Sequence, residues 1–413
     1  MSKLAIFGGP AAVTIPAPDW PIVEESEIKA VNEVLSSGKW RMSGKVNEFQ
    51  ELFAKFQDTA FGVACSNGTV ALEMAFKAFD IGAGDEVIVP PYTFIATATA
   101  VLRANAVPIF ADLEPDSLNM DADSLEALIT ERTRAIVPVH FGGLPCDIDK
   151  INAIARKHNI LVIDDAAHAW GTKWNGQGVG SHTDGATFSF QMTKNITAGE
   201  GGIFITNNEE AANMAWSYHH GGRSKDGGWH EHPVLGTNYR MTELQAAILT
   251  CQMVRLDQHT TRRETAAAVL TQRLESLPGI KTIPRDKRVT RRAWHMYDLF
   301  FVPENWEGVS RNRFVDALNA EGVPCSGGYQ LPIYRNGFFK EVPEGRKGCP
   351  FTCPYRDGPA PVYHELYLPN VERAIKRAVW LHHPLLLGGE KLANQIADAF
   401  EKIWENRKEL SSN

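Results

Sequence analysis

Between about residues 60 and 206 the chain alternates short apolar, β-branched runs with stretches of helical spacing. The runs fall at 63–65, 86–89, 108–111, 135–139, 160–163, 186–190 and 203–206. This alternation predicts an α/β unit whose parallel strands are covered by helices on both faces. Such sheets bind ligands at the carboxyl ends of their strands. Leu72, Ala75, Phe76 and Phe79 recur at three- and four-residue spacing directly after Ser66-Asn67-Gly68-Thr69, so a helix begins where the first strand ends. From 241 to 277 there is no Gly or Pro and the composition favours helix, which predicts long helices leaving one domain for another. The expected division is a large domain over 1–260, N-terminal segment included, and a smaller α+β domain over 261–413. The latter should hold a strand near 296–302, a helix near 311–319 and a last helix with Leu392, Ile396, Phe400 and Ile403 on its apolar face.

A chain of 413 residues exceeds one ordinary core, in keeping with two domains. Its formal charge of −7 and the lack of any basic stripe argue against nucleic acid or a membrane surface as partner. No run of eighteen apolar residues exists, and the apolar stretch at the N-terminus is too short for a signal peptide, so a soluble cytoplasmic protein is expected. Six cysteines are too few for a disulfide scaffold. Cys349 and Cys353 lie close together without a second Cys or His pair at similar spacing, and no metal is expected.

Candidate chemistry gathers at the predicted strand ends. In Phe188-Ser189-Phe190-Gln191-Met192-Thr193-Lys194 a buried-type strand leads to a lysine, followed by a Gly-rich turn. A lysine there becomes a nucleophilic amine if burial and a cationic neighbour lower its pKa, although a loop lysine taken alone is an ordinary solvated residue. The run 160–163 ends in Asp164 and Asp165, carboxylates that are costly in a low-dielectric site unless paired. A protonated pyridinium nitrogen would be such a partner, and would make pyridoxal phosphate an electron sink; a helix cap or a metal ligand is the other reading. Asn67-Gly68-Thr69 offers free N–H groups at a helix start, suited to a phosphate or serving only as an N-cap. Phe94 follows another strand and suits stacking on a flat ring, or the core.

These segments, in this order, resemble the pyridoxal-phosphate enzymes of fold type I, and more closely the DegT/StrS family of sugar aminotransferases. Ser66-Asn67-Gly68-Thr69 is similar to that family's phosphate cup, and Asp165-Ala166-Ala167-His168-Ala169-Trp170-Gly171 to its Asp-Ala-Ala-Gln-Ala-x-Gly. The Lys194 segment and Gly236-Thr237-Asn238-Tyr239-Arg240-Met241-Thr242-Glu243 match two further motifs.

The resemblance implies a mostly parallel large domain with a smaller α+β C-terminal domain, and pyridoxal 5′-phosphate as cofactor. It implies that Lys194 carries the cofactor as a Schiff base and shuttles protons, and that Asp165 pairs the pyridinium. Phe94 would stack on the ring, and His168, where the family more often has Gln, would sit near it. Gly68, Thr69 and Ser189 would hold the phosphate, reached also by Asn238 of a neighbouring subunit in a homodimer with shared sites. Gln191 and the segment from Trp380 through His382 and His383 resemble members that act on carbocycles, the keto-inositol aminotransferases and aminohydroxybenzoate synthases. The expected reaction moves an amino group from L-glutamate or L-glutamine to a keto group of a cyclitol or sugar. Alternatives are an aminohydroxybenzoate synthase, a nucleotide-keto-sugar aminotransferase, a sugar dehydratase, which typically replaces the lysine by His, or a non-catalytic cofactor-binding regulator. Substrate contacts come from loops, with Trp40, Tyr329 and His383 as candidates beside His220 and Arg223.

Overall fold

The computed structural model describes residues 3–228, 230–339, 350–351, 354–355 and 361–411, so Cys349 and Cys353 lie outside the described residues. Its strands follow the apolar runs: β1 (Phe61–Cys65), β2 (Glu86–Val89), β3 (Val107–Phe110), β4 (Thr133–Ile136) and β5 (Leu161–Asp165). After two short strands, β6 (Lys173–Trp174) and β7 (Gln177–Gly178), come β8 (Gly185–Ser189) and β9 (Gly202–Thr206). Seven of these form one sheet in the order β1-β9-β8-β5-β4-β2-β3. Every residue of β2, β8 and β9 is buried, as in a sheet covered on both faces.

Six of the seven strands run the same way. The exception is β9, expected to be parallel but antiparallel to both β1 and β8. A parallel neighbour needs a crossover, usually through a helix, whereas residues 190–201 between β8 and β9 form only a turn-rich loop. The carboxyl ends of β1, β5 and β8 and the start of β9 therefore share one edge, and Lys194 lies in the loop that crosses it.

Helices α1 (Glu25–Ser37), α2 (Lys45–Phe56), α3 (Gly68–Ala78), α4 (Ala96–Arg103), α5 (Ile148–His158) and α6 (Glu209–His219) accompany the large sheet. One continuous helix, α7 (Glu243–Leu274, 32 residues), stands where several were expected. It starts on a capping box between Thr242 and Gln245. Ala246, Leu249, Met253 and Leu256 join the core of the large sheet, while Ala266, Ala267, Leu270 and Leu274 join a second core. That second core lies against the sheet β10 (Ile280–Thr282), β12 (Met296–Phe301), β14 (Ala378–His382) and β13 (Cys325–Ser326), together with α8 (Arg311–Ala320) and the helix Gly389–Glu405. The remaining strand, β11 (Val289–Arg291), pairs with β6.

The N-terminal residues depart from the expected division. Leu4 is fully buried in the second core, and Glu321 accepts from Ala5 N at 2.8 Å and Ala12 N at 2.9 Å. An apolar side chain flanked by backbone donors that a buried carboxylate satisfies is held there, far along the sequence from where it starts. Among the described residues no helix is long and apolar enough to cross a membrane.

Candidate active site

Alternation along β5 separates the two carboxylates that end it. Asp164 is fully buried on one face, 3.0 Å from Thr183 Oγ1 and 3.3 Å from His140 Nε2. Asp165 faces the other way, 6 % exposed; its Oδ2 accepts from Thr97 Oγ1 at 2.8 Å and its Oδ1 from Ala167 N at 3.2 Å. Burial raises the Asp165 pKa above the usual carboxylate range, and these two donors and the nearby Lys194 oppose the rise.

Lys194 is half-buried, with Nζ 5.8 Å from the centre of the Trp170 ring. Burial pushes its amine down to about 8, against the pull of the Asp165 carboxylate. At neutral pH a useful fraction of the amine is thus unprotonated, as a nucleophile requires.

His168 is buried beside this pair, and burial together with the Lys194 charge holds its imidazole well below the ordinary range. The neutral ring accepts at Nδ1 from Gly142 N at 3.3 Å, so its proton sits on Nε2. It packs at 4.4 Å on His295 and edge-on at 5.3 Å to Phe141.

The helix start behind β1 is open. Asn67 caps α3 through its side chain, accepting from Val70 N at 3.1 Å, which leaves the N–H groups of Gly68 and Thr69 pointing past the end. A Cβ at Gly68 would lie 2.8 Å from the Cβ of Ser189, so only glycine lets the two segments approach. Gly68, Thr69 and Ser189 are thereby brought together at the positive end of a helix. Phe94 stands 60 % exposed, with its carbonyl accepting from Thr97 N at 3.2 Å at the start of α4.

The remaining sequence candidates divide. Tyr329 packs among Tyr92, Phe141 and Trp380, and burial, helped by the Asp165 charge, raises its phenol pKa. His383, expected to meet substrate, is 1 % exposed, because β14 ends at exposed His382 and the chain then turns the next side chain inward. Its Nε2 lies 3.1 Å from Thr193 O. Trp40 is 53 % exposed after α1, its carbonyl accepting from Glu243 N at 3.1 Å. His220, Arg223 and exposed Asn238 form a separate group: His220 bridges to Asn238 through backbone, and Arg223 Nη1 donates to His220 O at 3.2 Å. Thr97 and His295 escaped sequence reading. Thr97 lies one helical turn past Phe94 and was findable; His295 reaches Asn195 across 100 residues and left no local signal.

Comparison with known proteins decides the family. The model of the DegT/DnrJ/EryC1/StrS aminotransferase family matches residues 21–400. The chain belongs to this family. It is an aminotransferase, similar at 38 % identity over 98 % of both chains to a Streptoalloteichus tenebrarius protein provisionally named L-glutamine:3-amino-2,3-dideoxy-scyllo-inosose aminotransferase. The L-glutamine:2-deoxy-scyllo-inosose aminotransferase of Streptomyces fradiae is 34 % identical over 100 % of both chains. The aminotransferase also superposes on the crystal structure of 3-amino-5-hydroxybenzoic acid synthase with a TM-score of 0.82, at 33 % identity over 94 % of this chain and 99 % of that one. The fold is accordingly the α/β fold of these aminotransferases.

Proposed function

We propose that this aminotransferase binds pyridoxal 5′-phosphate on Lys194 and moves an amino group from L-glutamine or L-glutamate to a keto group of a cyclitol. The observation that carries the reading is that Lys194 and Asp165 lie within electrostatic reach of each other at one sheet edge, an amine lowered to about 8 and a buried carboxylate fixed by two donors. The surroundings fit the cofactor. The close approach of Gly68 to Ser189, which sets a hydroxyl beside the free N–H groups of Gly68 and Thr69, suits a phosphate. A carboxylate kept dry at Asp165 suits a protonated ring nitrogen.

When bound, the cofactor supplies an electron-withdrawing ring that stabilises negative charge on the substrate carbon. The protein's own residues do the rest. Lys194 Nζ takes a proton from the donor carbon and returns one on the acceptor side. Asp165 would hold the ring nitrogen protonated, and exposed Phe94 would supply an aromatic face for stacking. His168, neutral with its proton on Nε2, would have a hydrogen bond to offer the cofactor. Asn238 would complete the phosphate site of a partner subunit in a homodimer, since in this chain its side chain is exposed.

The cyclitol acceptor and the glutamine donor rest on the names of the two inosose relatives. A second reading, a synthase that makes an aromatic amino acid by loss of water, is favoured by the likeness to 3-amino-5-hydroxybenzoic acid synthase. A dehydratase is disfavoured by Lys194 itself, and so is a non-catalytic regulator by Lys194 with Asp165.

Borohydride treatment of the cofactor-loaded protein, followed by peptide mass spectrometry, should place the cofactor on Lys194. A label on any other lysine refutes the assignment. Stopped-flow half-reactions of the aminated form with an inosose, an aminated cyclohexenone precursor and a nucleotide-linked keto-sugar separate the substrate classes. Fast reaction with the nucleotide sugar alone would overturn the cyclitol while leaving the transaminase.

A further inference from the structure

Loops at sheet edges are ordinarily the mobile part of a fold, yet the loop that carries Lys194 is tied on both sides of the lysine by groups remote in sequence. Trp20 Nε1 donates to Met192 O at 3.1 Å, His383 Nε2 lies 3.1 Å from Thr193 O, and His295 Nδ1 lies 3.0 Å from Asn195 Oδ1. These groups come from the N-terminal segment, from the residue after β14 and from the residue before β12.

The protonation of both imidazoles follows from their partners. A carbonyl oxygen only accepts, so the His383 proton is on Nε2, which leaves Nδ1 buried without a partner among the described residues. The Asn195 amide donates from Nδ2 to Ala293 O at 2.8 Å, so its Oδ1 accepts and His295 carries its proton on Nδ1. Burial keeps both rings neutral, helped at His383 by the Arg263 charge and at His295 by His168 and Lys194. Trp20 stands edge-on to His383 at 4.5 Å, Trp170 edge-on to His295 at 5.5 Å, and the two imidazoles are 5.6 Å apart.

We propose that His295 and His383 are positioning residues, which fix Lys194 over the site by donating hydrogen bonds to the residues immediately before and after it. Neither has to touch a substrate for this. The geometry of the lysine is what they control, and displacement of a reacting group by about 1 Å is enough to lower a rate on the order of a hundredfold. This rests on the reading of Lys194 as the reactive amine, but the test is made on cofactor-free protein and so stands apart from it.

The test compares His383→Phe and His295→Phe, which keep a ring and lose the donor, with His383→Gln and His295→Gln, which keep a donor and lose the ring. Competitive acetylation of Lys194 by acetic anhydride across a pH series, read by mass spectrometry, gives the amine's midpoint, about 8 in the native protein. In each Phe variant the released amine should swing toward water and its midpoint should climb toward the ordinary lysine value of about 10.4, so that labelling at pH 8 falls roughly tenfold or more. The Gln variants should recover most of the native labelling. Native labelling in the Phe variants overturns the proposal. So do Gln variants no better than Phe, because ring packing rather than donation would then hold the loop. The four single variants are read separately, and thermal melting identifies any that does not fold. Borohydride labelling of a lysine other than Lys194 would sink the functional reading without touching this result.

Discussion

Replacing Thr97 by Val exchanges a buried hydroxyl for a methyl group of nearly the same size and removes one of the two donors to Asp165. Thr97 is fully buried and Asp165 6 % exposed, so no solvent takes the donor's place. A hydrogen bond to an ionised group contributes about 1.5–3 kcal/mol, and at about 1.36 kcal/mol per unit its loss raises the Asp165 pKa by roughly one to two units. The sign follows from the direction of the native shift. Burial sets the folded pKa of Asp165 above its unfolded value, so the ionised carboxylate already opposes folding once the pH exceeds the folded pKa. That penalty fades as the pH falls toward the unfolded value. The variant should therefore be less stable by about 1.5–3 kcal/mol at pH 8, and by only about 0.5–1.5 kcal/mol, the worth of a neutral hydrogen bond, once Asp165 is protonated. Urea unfolding of cofactor-free protein from pH 8 down to pH 5 measures this through the midpoint at constant m. A deficit that does not change with pH would mean that Asp165 does not change its charge over this range. A deficit below about 0.5 kcal/mol at pH 8 would mean that Thr97 does not hold the carboxylate at all.

Three further outcomes are expected. Asp165→Asn should lower turnover by at least about a hundredfold, the scale of losing one preorganised electrostatic group, and near-native turnover with full cofactor occupancy would make the carboxylate structural. Arg263 is fully buried, with no hydrogen-bond partner for any guanidinium nitrogen among the described residues, and burial pushes it down to about 9. Because the fold disfavours its charge, Arg263→Met should stabilise the protein by at least about 1 kcal/mol at pH 7, a gain that shrinks as the pH rises above that value; urea unfolding at pH 7 and pH 10 checks both, and destabilisation at pH 7 contradicts the argument. Mixing Lys194→Ala protein with Asn238→Asp protein should restore part of the activity lost by each, one intact site forming per heterodimer; no recovery after verified subunit exchange would mean that each site is built from one chain.

The strands were legible because a sheet covered on both faces leaves unbroken apolar runs. The direction of β9 was not, since such a run reads the same either way and only the short connection after β8 distinguishes them. Lys194, Asp165 and Gly68 stood out because each sits where an apolar run gives way, whereas Ser189, inside such a run, was reached only through the family resemblance. Between Asp164 and Asp165 the apolar pattern alone offered no choice; the motif resemblance picked Asp165, and strand parity sets the two on opposite faces. His382 and His383 read as an equivalent pair, and one step of the chain separates the exposed ring from the buried one. His295 was invisible for a different reason: an interaction across 100 residues imposes no spacing on its neighbours.

The ties on the Lys194 loop also set an order of events during translation. The strands that flank the lysine, β8 and β9, leave the ribosome well before residue 295, and residue 383 follows much later still. Until then Trp20 is the one remote side chain of the three already present to hold the loop. A nascent chain can thus assemble its sheet and its open helix start while the loop between them is tied from one side only. The full set of ties on Lys194 is in place only when β14 has been added and His383 has turned in behind it.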